Sequence, residues 1–179
     1  MKKLLSLALV SGILFMAIGA HAQDSKPPED KSKRPSPPAI ASGSTASGTS
    51  IKIDYSQPSI KGREIGTGVE PHKDSVWRTG ANEATVFEVN KDVTINGKSL
   101  PAGKYGLFTI WHGDTWTIIF NKTWKQWGAF TYKATDDVLR VDVPNTPPSS
   151  PGEKMTFQVG SDGKVALAWG NIGFNFAVM

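Results

Sequence analysis

The chain has 179 residues, a net charge of +4, 39% hydrophobic residues and no cysteine. The lack of Cys excludes disulfide staples, thiol nucleophiles and thiolate metal sites, so a hydrophobic core must hold the fold unaided. Most of the charge excess comes from Lys2, Lys3, Lys26, Lys31, Lys33 and Arg34, which leaves residues 51–179 close to neutral, without the basic footprint of a nucleic-acid binder.

Lys2 and Lys3 precede an apolar run from Leu4 to Ile18, and Ala20-His21-Ala22 follows it. That order describes a cleavable secretory signal over residues 1–22, cut after Ala22. The run is shorter than the ~20 residues a membrane span needs. No lipid-accepting Cys follows, so a periplasmic or secreted protein with no membrane attachment after cleavage is expected. Residues 23–50 are rich in Pro, Ser, Lys, Gly and Thr, as in Pro35-Ser36-Pro37-Pro38. Such a segment cannot bury enough apolar surface to offset its ordering entropy and is expected to be a disordered linker. Residues 51–179 are long enough for a single domain.

From Ser50 onward the pattern has a period of two. Ile51, Ile53 and Tyr55 alternate with Lys52 and Asp54, and Leu139, Val141 and Val143 with Arg140 and Asp142. Met155 to Val159 and Val165 to Trp169 alternate in the same way, each reading as a half-buried strand. Tyr105 to Trp111 and Trp116 to Phe120 are apolar on both faces, as central strands are. Asn96-Gly97 suits a type I′ hairpin between Val93-Ile95 and the segment from Leu100. His112-Gly113-Asp114 and Ser161-Asp162-Gly163 mark two further turns. Helical periodicity is lacking beyond the signal, apart from at most one turn over 122–127. These elements predict an all-β antiparallel sandwich of about eight or nine strands, with a β-barrel as the alternative.

The long irregular stretch from Ser56 to Asn82 leads into Trp77-Arg78-Thr79-Gly80-Ala81-Asn82-Glu83. Long loops on rigid sheets are where binding residues concentrate. Arg63 and Arg78 can fork onto a carboxylate or phosphate, Asn82 can donate and accept, and Glu83 can accept or take a proton. The candidate binding residues are therefore Arg63, Trp77, Arg78, Asn82 and Glu83, forming a polar pocket walled by Trp77. The competing reading makes Arg78 and Glu83 a structural pair that pins the loop. No catalytic motif is complete: there is no G-x-S-x-G elbow and no S-x-x-K. His72, Glu70 and Asp74 lie in one loop but match no metal-ligand spacing, and neither a metal nor a cofactor is implied. His112, at a hairpin tip, is expected in solvent. Among the six tryptophans, Trp116 and Trp169 fall in phase with the core. Trp111, Trp124 and Trp127 are better placed to stack on a ligand, and Trp124-Lys125-Gln126-Trp127 has the composition of a sugar or peptide groove.

Asp54-Tyr55-Ser56-Gln57-Pro58-Ser59-Ile60-Lys61-Gly62-Arg63 and Val76-Trp77-Arg78-Thr79-Gly80-Ala81-Asn82-Glu83-Ala84-Thr85, followed by the strands from Leu100 to Ile110 and Trp116 to Asn121, resemble the domain-of-unknown-function family numbered 2911, exported proteins of Bacteroidota and other bacteria. The resemblance spans residues 51–179. The chain departs from it at Val69-Glu70-Pro71-His72-Lys73-Asp74 and at Trp111. The resemblance implies an exported β-rich domain and supplies no catalytic residues. The expected function is a monomeric or weakly associating module that binds a small anionic or saccharide ligand of the cell envelope. The alternatives are a hydrolase with Glu83 as general base and a structural envelope component.

Overall fold

A computed structural model describes residues 29–179; the signal segment lies outside the described residues, as does the first part of the linker. The strands are β1 (Pro38–Ser44), β2 (Ser50–Ser56), β3 (Val76–Trp77), β4 (Thr85–Val89), β5 (Val93–Ile95), β6 (Lys98–Leu100), β7 (Gly103–Trp111), β8 (Thr115–Asn121), β9 (Asp137–Pro144), β10 (Gly152–Val159), β11 (Lys164–Gly170) and β12 (Ile172–Ala177). Short 3₁₀ turns fall at Lys31–Lys33 and Ala134–Asp136, and residues 122–127 form no helical turn.

The large sheet runs β1-β2-β4-β7-β8-β9, with β3 also on β7, and the small sheet runs β10-β11-β12. The pairings are antiparallel, and the large sheet ends at β1 and β9 without closing. The fold is therefore an antiparallel sandwich rather than a barrel. The β5–β6 hairpin turns through Asn96 and Gly97, both at positive φ, as a type I′ turn requires. Among the described residues, no helix is long and apolar enough to cross a membrane.

The inward faces of both sheets meet in one core. Trp77, Phe87, Trp116, Phe120, Trp169, Phe174 and Phe176 are all buried in it. Trp77 stacks on Trp169 with centroids 5.9 Å apart and lies 6.5 Å from Trp116, which stands 6.2 Å from Trp111. Burying an indole is favourable only if its N–H finds an acceptor. Each buried one does: Trp77 Nε1 donates to the Gly80 carbonyl at 3.0 Å, Trp116 Nε1 to Asn145 Oδ1 at 2.9 Å, and Trp169 Nε1 to the Glu153 carbonyl at 3.2 Å. A smaller cluster of Ala84, Phe108 and Ile119 lies apart from that core, with Ala129 and Tyr132 packed on it.

The linker expectation needs correction over residues 38–50. Pro38–Ser44 pairs with Ser50–Ser56 in unbroken register from Pro38↔Ser56 to Ser44↔Ser50. Apart from Ile40 its residues are Pro, Ala, Ser and Gly, so the composition resembles a linker, yet backbone pairing with an apolar neighbour suffices to order it. Residues 29–37 also carry side-chain contacts to the domain, described below.

Candidate functional site

β3 and β4 lie on the same side of β7. Val76↔Ile110 and Trp77↔Thr109, continued in register, would place Thr79 opposite Leu107, but Thr85 stands there instead. The segment Thr79–Ala84 is thus an excursion thrown out of an otherwise continuous strand. Thr79 sits at φ 54 and Asn82 at φ 58, and this left-handed backbone is costly for a β-branched residue. It is held by side-chain bonds in the interior: Thr79 Oγ1 donates to Thr109 Oγ1 at 3.1 Å, and Thr85 Oγ1 to the Thr79 carbonyl at 2.8 Å. A Cβ on Gly80 would meet Thr85 Oγ1 at 2.9 Å and the Ser56 carbonyl at 3.1 Å, so glycine is needed there for close approach.

The loop from Lys122 to Asp136 is zipped onto this excursion. Ala84 N–H donates to the Gln126 carbonyl at 3.0 Å, and Gly128 N–H to the Asn82 carbonyl at 3.0 Å. The loop is braced internally by Gln126 Nε2 to the Thr123 carbonyl at 2.6 Å, Thr131 Oγ1 to Gln126 Oε1 at 2.9 Å and Thr123 Oγ1 to Asp136 Oδ2 at 2.9 Å. This braced loop presents Trp124 and Trp127, which keep 37% and 54% of their surface exposed. With Glu83, Ala84, Val86 and Lys31 they line a groove of about 460 Å³. A smaller one of about 180 Å³ continues from the same Lys31, Glu83 and Ala84 towards Asp54 and Tyr55.

The segment ahead of β1 crosses this region. Lys31 Nζ donates to Glu83 Oε1 at 2.7 Å and Arg34 Nη1 to Glu83 Oε2 at 2.8 Å, while Arg34 lies 5.5 Å above the Trp127 ring. Lys104 lies 5.6 Å above Trp124. Burial alone would raise the Glu83 pKa, but hydrogen bonds from Lys31, its own backbone and Arg34 outweigh it and bring the carboxyl down to about 2. Such a carboxylate stays ionised at neutral pH and is a poor proton acceptor.

The five residues singled out from the sequence do not converge. Glu83 lines the groove, and Asn82 beside it ties down the N-terminal segment, Nδ2 donating to the Ser36 carbonyl at 2.9 Å. Trp77 is 1% exposed in the core and walls no pocket. Arg63 closes its own turn, donating to the carbonyls of Ile60 and Ser59 at 2.9 and 2.7 Å. Arg78 makes no pair with Glu83; its Nε is shut from solvent with no hydrogen-bond partner among the described residues. Burial lowers its pKa, and Glu70 acts in the opposite sense. Neither Arg63 nor Arg78 lines the groove. Lys31 and Arg34, which do shape it, went unnoticed inside a stretch of linker composition.

The acidic and imidazole groups of the long loop also separate. Glu70 Oε2 accepts from the His72 backbone N–H at 3.0 Å. Asp74 turns instead to His112, with 2.6 Å between Oδ1 and Nδ1. His112 also lies 3.2 Å from Thr117 Oγ1, which donates to Asp142 at 2.7 Å. That network ties the long loop to the outer face of β8. The Thr117 hydroxyl proton is directed at the Asp142 carboxylate, so the His112 ring nitrogen stands as donor to Thr117 Oγ1. Among the described residues no three His, Asp or Glu side chains gather as a metal site.

No curated protein and no solved structure matches the chain. A family model does, over residues 36–178, and it begins just ahead of β1 and ends with the last residues of the sandwich. The chain accordingly belongs to DUF2911, a family described as protein of unknown function.

Proposed function

We propose that this domain is an exported binding module and that the groove between the excursion and the Lys122–Asp136 loop takes a saccharide of the cell envelope. The observation that carries this reading is the pair of exposed indoles, Trp124 and Trp127, held on a hydrogen-bonded loop over a concave surface. A flat aromatic face gains most from a partner with an apolar face and a hydroxylated edge, and polar side chains beside it supply orientation. Lys125, Lys31 and Glu83 stand in the same groove. Saccharide is favoured over a small anion because Lys31 and Arg34 are balanced by two carboxylates, Glu83 on both and Glu29 on Arg34, and Arg78 lies elsewhere. The hydrolase alternative is weakened by the same pairing, since a base ionising near 2 has little affinity for a proton at neutral pH.

Isothermal titration with soluble peptidoglycan fragments and with neutral hexose oligomers tests the reading. Binding to one glycan class is expected, and Trp127→Ala should weaken it by roughly five- to thirtyfold, the loss of about 1–2 kcal/mol of stacking, while the melting temperature stays close to wild type. An affinity unaffected by both Trp124→Ala and Trp127→Ala would sink the assignment of the groove.

A further inference from the structure

A sandwich of open sheets has four edges, and an exposed edge is a template for another strand. Three are managed here. β9 carries Asp137, Arg140 and Asp142, and Lys98 Nζ donates to its Arg140 carbonyl at 3.1 Å. β12 is covered by the β5–β6 hairpin, through Asn96 N–H to the Ala177 carbonyl at 3.0 Å, and by Thr146 N–H to the Gly173 carbonyl at 2.7 Å. β10 is paired over its first half by the chain itself, Ile60 N–H to the Glu153 carbonyl and Met155 N–H to the Pro58 carbonyl, each 3.0 Å. β1 differs: it has no charged residue and no bulge, and it exposes Ile40 at 63%.

The unpaired groups on β1 can be assigned. Thr45 N–H to the Thr49 carbonyl and Gln57 N–H to the Pro37 carbonyl, both 2.9 Å, continue the β1–β2 ladder at each end. Residues of odd number therefore face β2, and alternation turns the backbone groups of Ile40, Ser42 and Ser44 to the free side. Among the described residues none of these groups has a partner. The edge opens onto a groove of about 740 Å³ shared with Phe157 and Val159 of β10.

We propose that the protein self-associates through β1, the strand pairing antiparallel with the same strand of a second copy across a two-fold axis at Ala41. In that register Ile40 faces the second copy's Ser42 and exchanges both backbone bonds with it, twice over by symmetry. Ser44 N–H reaches the second copy's Pro38 carbonyl, so the one residue without an N–H needs only to accept. On the inner side Ala39 meets Gly43 and Ala41 meets Ala41, side chains small enough to enter the groove. The strand brings no like charges together across the axis, which removes the usual deterrent to edge pairing.

Sedimentation equilibrium of the purified protein from micromolar to high-micromolar concentration, together with cross-linking, tests this. A concentration-dependent dimer is expected. Ile40→Lys with Ser42→Lys sets like charges opposite each other and should weaken the dimer by roughly tenfold or more, whereas Ile40→Lys with Ser42→Glu alters the same two positions with opposite charges and should retain it. Ala41→Cys should give a disulfide-linked dimer on mild oxidation, because the residue at the axis is a non-hydrogen-bonded pair with Cα atoms about 4.5 Å apart. Ser44→Cys should not, being roughly 20 Å from its symmetry mate. A monomer at every concentration, or cross-linking equally efficient at both positions, overturns the proposal; the first result would leave the edge to a strand of different sequence.

Discussion

Glu83→Gln removes the charge that Lys31 and Arg34 share while keeping the shape of the side chain. Ionisation at about 2 instead of 4.5 would amount to about 3.4 kcal/mol without screening. The Glu83 side chain is 38% exposed and Lys31 54%, and exposed pairs are worth about 0.2–1 kcal/mol each, so the expected loss at pH 7 is about 1 kcal/mol. The folded-state pKa lies below the unfolded one, so this stabilisation is complete above about 4.5 and is lost as pH falls towards about 2. Urea unfolding of wild type and Glu83→Gln across that window should show a gap that closes on acidification. At neutral pH trypsin should cleave after Lys31 and Lys33 roughly fivefold faster in the variant, as expected if cleavage follows the open population; the Arg34–Pro35 bond resists the protease in both proteins. A gap that persists unchanged near pH 2, with equal tryptic rates at pH 7, would show that the two cations do not hold the N-terminal segment through Glu83.

Two further substitutions examine the excursion. Trp77→Phe keeps an apolar ring between Trp169 and the Gly80 turn but leaves the Gly80 carbonyl unpaired, and a loss of about 2–4 kcal/mol is expected in urea unfolding; a loss under 1 kcal/mol would mean that the Trp77 indole bond contributes nothing. Gly80→Ala drives a methyl against Thr85 Oγ1 and the Ser56 carbonyl and should cost about 1–3 kcal/mol, with faster hydrogen exchange at Thr85 and Ala81; wild-type exchange at both would refute the tight packing.

The sandwich itself was legible because strands such as Ile51–Tyr55 and Met155–Val159 alternate cleanly, and the Asn96-Gly97 turn has only one common geometry. β3 escaped notice because two residues cannot display a period. β1 escaped because Ala39, Ala41 and Gly43 contribute little hydrophobic signal, and what orders them is a ladder to β2 together with β10 behind Gly43, where a Cβ would meet Val159 at 2.8 Å. β12 alternates as regularly as its neighbours through Ile172, Phe174 and Phe176, so its signal lay in the sequence. The site was harder to read for a different reason. Trp77 and Glu83 are close in sequence, but the excursion sends one inward and the other outward. The partners of Glu83 lie 52 and 49 residues away in a segment whose composition promised no order. The Trp124-Lys125-Gln126-Trp127 loop was visible as composition, but whether its indoles were core or surface depended on the bonds that brace the loop.

The line of indoles through the core, Trp169 to Trp77 to Trp116 to Trp111, has an optical consequence. At 5.9 to 6.5 Å between neighbours these chromophores exchange excitation and couple their transitions, so their near-ultraviolet dichroism and emission report the closed sandwich collectively. Trp124 and Trp127 stand in solvent outside that array. The molecule therefore carries two intrinsic spectroscopic channels: a blue-shifted one that follows the integrity of the interior, and a red-edge, quencher-accessible one that follows the surroundings of the groove, so binding at the proposed site and unfolding can be told apart without any added label.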